Sequence, residues 1–228
     1  MATSGSVDYS LTARQVIKFA LQKVNMLALH EDPSDERADN ALIELNIMCK
    51  EWMKYENLWR LTEGSATLVA DTASYVLSPV PYRVIDARYR DADSRDLPMM
   101  QMSRSDYYDL PLKTTQGIPT QWYLDKQRAT RTLYVWPVIA SVTTETIQYT
   151  YQRLFDDVDD LDDEIDIPQE YFSVVAFNLA ARLADSVGRT GPHIDRVIQR
   201  AEMLLQEALD DDRPDFIQFM PDDGRLSA

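Results

Sequence analysis

The sequence predicts a mixed α+β fold: an antiparallel four-helix bundle, an inserted small β-barrel or sandwich domain between its second and third helices, and an extended C-terminal arm. Three observations predict it. Apolar residues recur every three to four positions near both ends of the chain, which is the helical period. Between residues 61 and 153 the period falls to two, in short runs rich in β-branched and aromatic side chains. The helices on either side of that region each lack a complete core, so they must bury their stripes against one another. The expected organisation is a first helical pair (residues 10–58), the β-domain (59–153), an acidic linker (154–167), a second helical pair (168–212) and the arm (213–228).

The first helix is expected over 12–29. Thr12 and Gln15 make a capping box, and Leu11, Val16, Phe19, Ala20, Val24 and Leu27 follow at helical spacing. Asp32 and Pro33 read as the N-cap and first-turn proline of a second helix running to Tyr55, with Leu42, Leu45, Cys49 and Trp52 as its stripe. The short loop between the two makes them antiparallel neighbours.

Strands are expected at 67–69, 74–77, 84–89 and 146–151, and Ser103 caps a single helical turn across 106–110. The most informative segment is 117–137, GIPTQWYLDKQRATRTLYVWP. Trp122, Tyr123 and Leu124 form one strand, 133–136 its partner, and the polar run 125–131 the turn. Gly117 and Pro119 punctuate its start and Pro137 its end, while Tyr134 and Trp136 alternate with Leu133 and Val135 across the two faces. This is packing chemistry, because nothing in the segment is a nucleophile or a metal ligand.

After the acidic run, Pro168 opens a helix with the stripe Phe172, Val175, Leu179 and Leu183, which Gly188 to Pro192 breaks. The last helix carries Ile194, Val197, Ile198, Ala201, Leu204, Leu205 and Ala208 and ends in three aspartates. The arm has no periodicity but contains Phe216, Ile217, Phe219 and Met220, which is more apolar bulk than an unattached tail carries, so it is expected to dock on a partner.

Composition bounds the function. The 228 residues are 45% hydrophobic, enough for a globular core, and carry a formal charge of −15. That balance excludes a generic DNA binder, since phosphate contacts need clustered cations; Arg182, Arg189, Arg196 and Arg200 are the nearest approach to such a cluster. Cys49 is the single cysteine, so there is no intramolecular disulfide or cysteine metal cluster, and it reads as a small core residue. No signal peptide and no membrane-length apolar run are present, so the protein is expected to be made in a cytoplasm and to stay soluble until it assembles. The eight acids at 156–166 fail the calcium-loop pattern, having no glycine and a leucine at Leu161 where a ligand is needed. They read as a solvated linker, or secondarily as a negative wall facing DNA or a basic neighbour. His30 and His193 lie in no metal-ligand spacing, and no phosphate loop or nucleophile elbow occurs. The sequence predicts no catalytic residue, cofactor or metal.

The Gly-x-Pro, aromatic strand, turn and Trp-Pro of 117–137, with the upstream run 82–111, resemble the head-to-tail adaptor (connector) proteins of tailed bacteriophages, of the podovirus type with an inserted β-domain. The resemblance runs from Thr12 to Pro214. It implies a non-enzymatic virion protein at the head–tail junction, a ring of twelve copies matched to a twelve-fold portal, and a tail nozzle or tail-tube protein on the other side. It further implies that the arm reaches a portal subunit and that double-stranded DNA passes through the lumen without specific binding. Another neck or baseplate component, an acidic DNA-mimic inhibitor and, more weakly, a metal-dependent hydrolase are the alternatives.

Overall fold

Thr12 starts α1 (Ala13–Lys23) through the expected capping box: its hydroxyl accepts from the Gln15 backbone N–H while the Gln15 side chain accepts from the Thr12 N–H. The computed structural model describes residues 5–55, 58–141 and 144–211. The helix stops before the expected Leu29 because Asn25 takes a left-handed φ of 55°. The Met26 N–H then bonds Leu21 O at 2.9 Å and the Asn25 N–H bonds Gln22 O at 3.1 Å, a Schellman ending. The second helix, α2 (Asp35–Trp52), takes Ser34 as its N-cap instead of Asp32, whose carboxylate is held by Lys18 Nζ at 2.6 Å. Leu45, Cys49 and Trp52 are buried as expected, and Leu42 is half-buried.

Pro168 opens a short 3-10 turn that runs into α4 (Phe172–Ser186), and α5 (Pro192–Asp211) follows the glycine break. Val175, Leu179 and Leu183 on α4, and Ile194, Val197 and Ala201 on α5, are buried, whereas Ile198, expected in the stripe, is 37% exposed. The four long helices α1, α2, α4 and α5 share one apolar cluster, with α4 packed on the other three.

Between α2 and α4 lie seven strands and one short helix: β1 (Leu61–Thr67), β2 (Ser74–Val76), β3 (Arg83–Arg90), β4 (Asp96–Gln101), α3 (Arg104–Asp109), β5 (Gln121–Lys126), β6 (Arg131–Trp136) and β7 (Thr146–Gln152). They form one curled sheet in the order β1-β7-β3-β4-β5-β6-β2, with its own core around Trp122, Leu133, Val135 and Ile147. Its edge strands β1 and β2 do not pair, though both line one groove with Tyr149. Three features differ from the expected run of strands. The segment 67–69 carries only the last residue of β1. β4 is not among the expected strands, because Pro98 and a mostly exposed face hide its pattern. Finally, β4 and β5 pair in parallel, Met100 opposite Gln121 and Gln101 opposite Trp122, which requires the crossover that α3 supplies. Ser103 and Asp106 form a second capping box at the start of α3.

The hairpin is buried on both faces. Trp122, Leu124, Leu133 and Val135 enter the sheet core. On the other face, Tyr123, Tyr134 and Trp136 pack with Met102 and Tyr107 beneath α3, and the Tyr123 and Tyr134 rings stack at 5.9 Å. The turn is shorter than expected, since Lys126 and Arg131 still pair across the ladder.

These contacts set the cost of three substitutions. A Cβ on Gly64 would lie 2.5 Å from Cζ of the buried Tyr149 ring opposite it, so Gly64→Ala should destabilise by about 1–3 kcal/mol in urea unfolding. Trp122 is 1% exposed, and Trp122→Ala should cost about 3–5 kcal/mol. Half-buried Trp136, whose Nε1 donates to Leu112 O at 3.1 Å, should cost about 1–2 kcal/mol on replacement by alanine.

Candidate interaction surfaces

The sheet meets the helical cluster at a polar join. Arg60, just before β1, is fully buried; its Nε and Nη2 donate to Arg153 O at 3.2 and 2.8 Å, and its guanidinium lies 4.3 Å from the Phe155 ring centroid. Its Nη1 has no hydrogen-bond partner among the described residues. Burial, then the neighbouring Arg153 charge, push its pKa down to about 10, so it remains a cation at neutral pH. Arg153, just after β7, returns its N–H to Arg60 O at 3.0 Å and forks onto Asp166 at 2.5 and 2.7 Å. The buried Gln152 bridges the same region, donating to Tyr55 O at 2.6 Å and accepting from Arg83 Nε at 2.8 Å. Arg60→Ala should cost about 3–5 kcal/mol, because it opens a cavity and strips Arg153 O of its donors. Arg60→Met should cost distinctly less in the same unfolding experiment, since it keeps volume and removes an unpaired buried Nη1.

The acidic segment 154–167 is not the solvated linker its charge suggests. Phe155, Val158, Leu161, Ile165 and Ile167 are buried in the helical core, with the acids turned outward between them. The backbone is tied down as a strap: Asn46 both donates to Val158 O at 2.8 Å and accepts from the Val158 N–H at 3.0 Å, while Ala13 and Arg14 donate to Asp163 O and Leu161 O. Three acids are used as ties, Asp157 to Lys50, Asp162 to Arg14 and Asp166 to Arg153. Asp163 accepts from the N–H groups of Asp159 and Asp160. Asp156, Asp159, Asp160, Asp163 and Glu164 are exposed and make no ion pair among the described residues.

A cationic face lies at the other end of α1. Arg189 donates to Val24 O at 3.0 Å and Asn25 O at 2.8 Å, and His193 Nε2 is 2.8 Å from Lys23 O, so both satisfy carbonyls at the end of that helix. Arg196 and Arg200 continue the face along α5. Arg182, grouped with them by sequence, instead pairs with Glu51 on α2. Between the chain's N-terminal stretch, α1 and α4 runs an apolar groove of about 600 Å³ that includes Phe19, Phe172 and Phe177.

The hairpin residues named from sequence do come together. Pro119 is buried, and Gly117 donates to Val138 O at 2.9 Å beside Pro137, so the segment before the hairpin runs along the segment after it. The arm residues Phe216, Ile217, Phe219 and Met220 lie outside the described residues. His30 is exposed, and no group of three or more His, Cys, Asp or Glu side chains suited to a metal ion occurs among the described residues. The Cys49 thiol is pushed up to about 12 by burial, which leaves it no thiolate at neutral pH. No helix among the described residues is long and apolar enough to cross a membrane. Arg189, Arg196 and Arg200 of the cationic face stand out in the sequence, whereas His193 and the strap do not; the strap's signal is the lone apolar residues spaced through the acids.

The described residues thus present an acidic strap, a cationic face and an apolar groove on a mixed α+β scaffold. The sequence matches the SU10 adaptor protein family over residues 13–222, and the chain belongs to that family. Among solved structures it is similar to a chain of the "Virion of native gene transfer agent (GTA) particle", at 14% identity, with 86% of this chain and 93% of that one covered and a TM-score of 0.32. It is also similar to a chain of the "Neck of empty GTA particle computed with C6 symmetry", at 13% identity, with 83% and 93% covered and a TM-score of 0.30. No curated protein matches.

Proposed function

We propose that this chain is a structural head-to-tail adaptor of a tailed phage: a ring-forming protein that joins the portal to the tail and surrounds the DNA passage. One observation carries the reading, the match to an adaptor family over residues 13–222, which takes in every helix and strand described above. In this reading α1, α2, α4 and α5 act as a four-helix body that builds the ring wall, and the sheet is an inserted domain projecting from it. The copy number is the portal's, twelve for a twelve-fold portal, and a tail nozzle or tail-tube protein binds the far side. The protein is made in the host cytoplasm, acts in the virion, and performs no chemistry of its own.

The charge supports transit of DNA without recognition. At −15 overall, the chain repels a duplex on average, which keeps the passage from gripping its cargo. The arm is assigned to the portal on its composition: Phe216, Ile217, Phe219 and Met220 are anchors of the kind that dominate interfaces.

Electron microscopy of the purified chain mixed with its portal tests the reading, and closed rings seated on the portal are the expected result. Removing residues 213–228 should leave a folded protein with the same circular dichroism and thermal midpoint but without portal binding. Portal binding of unchanged affinity after that truncation would remove the arm's assignment, and the absence of any portal complex with the full chain would remove the adaptor reading.

A further inference from the structure

We propose that the face formed by Arg189, His193, Arg196 and Arg200 docks the acidic strap of a second copy of this chain. The inference rests on the ring-forming reading above and names the contact that would build the ring.

Three arginines and a histidine are built into place and left without carboxylates among the described residues. Arg189 and His193 are fixed by their bonds to the last carbonyls around α1. Arg196 donates to Pro192 O of its own helix and Arg200 to the Met203 sulfur, and all four side chains are exposed. None of the four joins an ion pair among the described residues, although the chain carries 38 acids against 23 Lys and Arg. Asp185, Asp195 and Glu202 are the acids nearest in sequence, and no ion pair joins any of them to the four among the described residues. Elsewhere Arg14, Lys18, Lys50, Arg88, Arg90, Arg153 and Arg182 each have a carboxylate partner.

The complementary charge sits where the same molecule cannot use it. The strap bonds to the first residues of α1, through Ala13 and Arg14, while the cationic face bonds to its last carbonyls. Eleven residues of helix hold the two apart by about 16 Å, more than a Debye length at physiological salt. Two different and complementary patches on one chain are what a heterologous, head-to-tail contact needs, and such a contact closes into a ring when its rotation permits. Charge complementarity of this sort sets register and encounter rate more than affinity, which suits a patch with no apolar core of its own. Duplex DNA is the competing occupant, and the chain's overall negative charge disfavours it.

A charge-swap experiment on the full chain decides the matter. Arg196→Glu with Arg200→Glu reverses the face without touching the two residues that cap α1. Asp156→Arg with Asp159→Arg reverses strap positions whose side chains make no hydrogen bond or ion pair among the described residues. Self-association of the wild type, followed by analytical ultracentrifugation, should weaken as salt rises from about 50 to about 500 mM. Each double variant alone should associate about tenfold or more weakly than the wild type. An equimolar mixture of the two should recover, because every face then meets a strap of opposite sign, and the fourfold variant in one chain should recover for the same reason.

Rings formed by the wild type and unchanged in both double variants would overturn this contact and leave the adaptor reading standing. Failure of the mixture and of the fourfold variant to recover, with circular dichroism intact, would overturn it as well. A wild-type chain that stays monomeric at every salt and concentration, with or without portal, would remove the ring reading and this inference together. Loss of low-salt duplex binding in Arg196→Glu with Arg200→Glu, with self-association unaltered, would reassign the face to nucleic acid.

Discussion

The exchange between Arg60 and Arg153 is the constraint on which the rest of the structure depends. The chain leaves the helical core at Arg60 and returns to it at Arg153, and Leu61 and Gln152 are already paired as β1 and β7. Holding those two crossings side by side closes the long intervening segment on itself, so the sheet can fold on its own core while the helices fold on theirs. The join has to carry polar groups, because the backbone there passes from one apolar core to another without a regular partner on either side. A guanidinium can answer one carbonyl twice and still sit over the Phe155 ring, 4.3 Å from its centroid, which an ammonium cannot do. Its cost is an unpaired Nη1 and a depressed pKa, both consequences of complete burial.

The same join sets the strap on its course. Arg153 grips Asp166 while Arg60 grips Arg153, so both ends of the segment after β7 are fixed near one point. The strap must then loop out and return, and its apolar residues fall inward over the start of α1 and the flank of α2. Acids suit the outward positions for three separate reasons. Some tie to cations on the helices, Asp163 caps backbone N–H groups within the loop, and the remainder stay in water. Ion pairs as exposed as Arg14 with Asp162 contribute little individually, so it is the buried apolar side chains and the satisfied backbone that hold the strap.

Much of this fold was legible in the sequence, and the failures have physical causes. The capping boxes at Thr12 and Ser103, the hairpin ladder and the glycine break at Gly188 depend on neighbours within a few residues, and local patterns state them outright. The early end of α1 turns on one asparagine adopting a left-handed conformation, which residue type permits but does not dictate. β4 was hidden because it buries only Met99 and contains a proline, so it exists through its partners β3 and β5 and not through its own pattern. The strap was hidden because charge density dominated a reading in which Phe155, Val158, Leu161, Ile165 and Ile167 were the informative residues. The arginines of the cationic face are legible as a cluster, but their anchoring is not, since Arg189 and His193 find their carbonyls on a helix at the opposite end of the chain.

The burial of the hairpin on both sides decides where contact surfaces can lie. A hairpin with one face in a core and one in water is a natural docking element. Here α3 covers the second face, and Tyr107, Tyr123 and Tyr134 fill the space beneath it with stacked rings. The aromatic richness of the segment is therefore spent on holding the sheet together, and few of its side chains remain to meet a partner. What stays outward is different in kind: unpaired edges on β1 and β2, an apolar groove beside Phe19, an acidic strap and a cationic face at opposite ends of one helix. Most of these belong to the helical part of the chain or its margins. A sheet that keeps its own shape beside a separate helical core needs a rigid join between the two, and the buried Arg60 stands at that join.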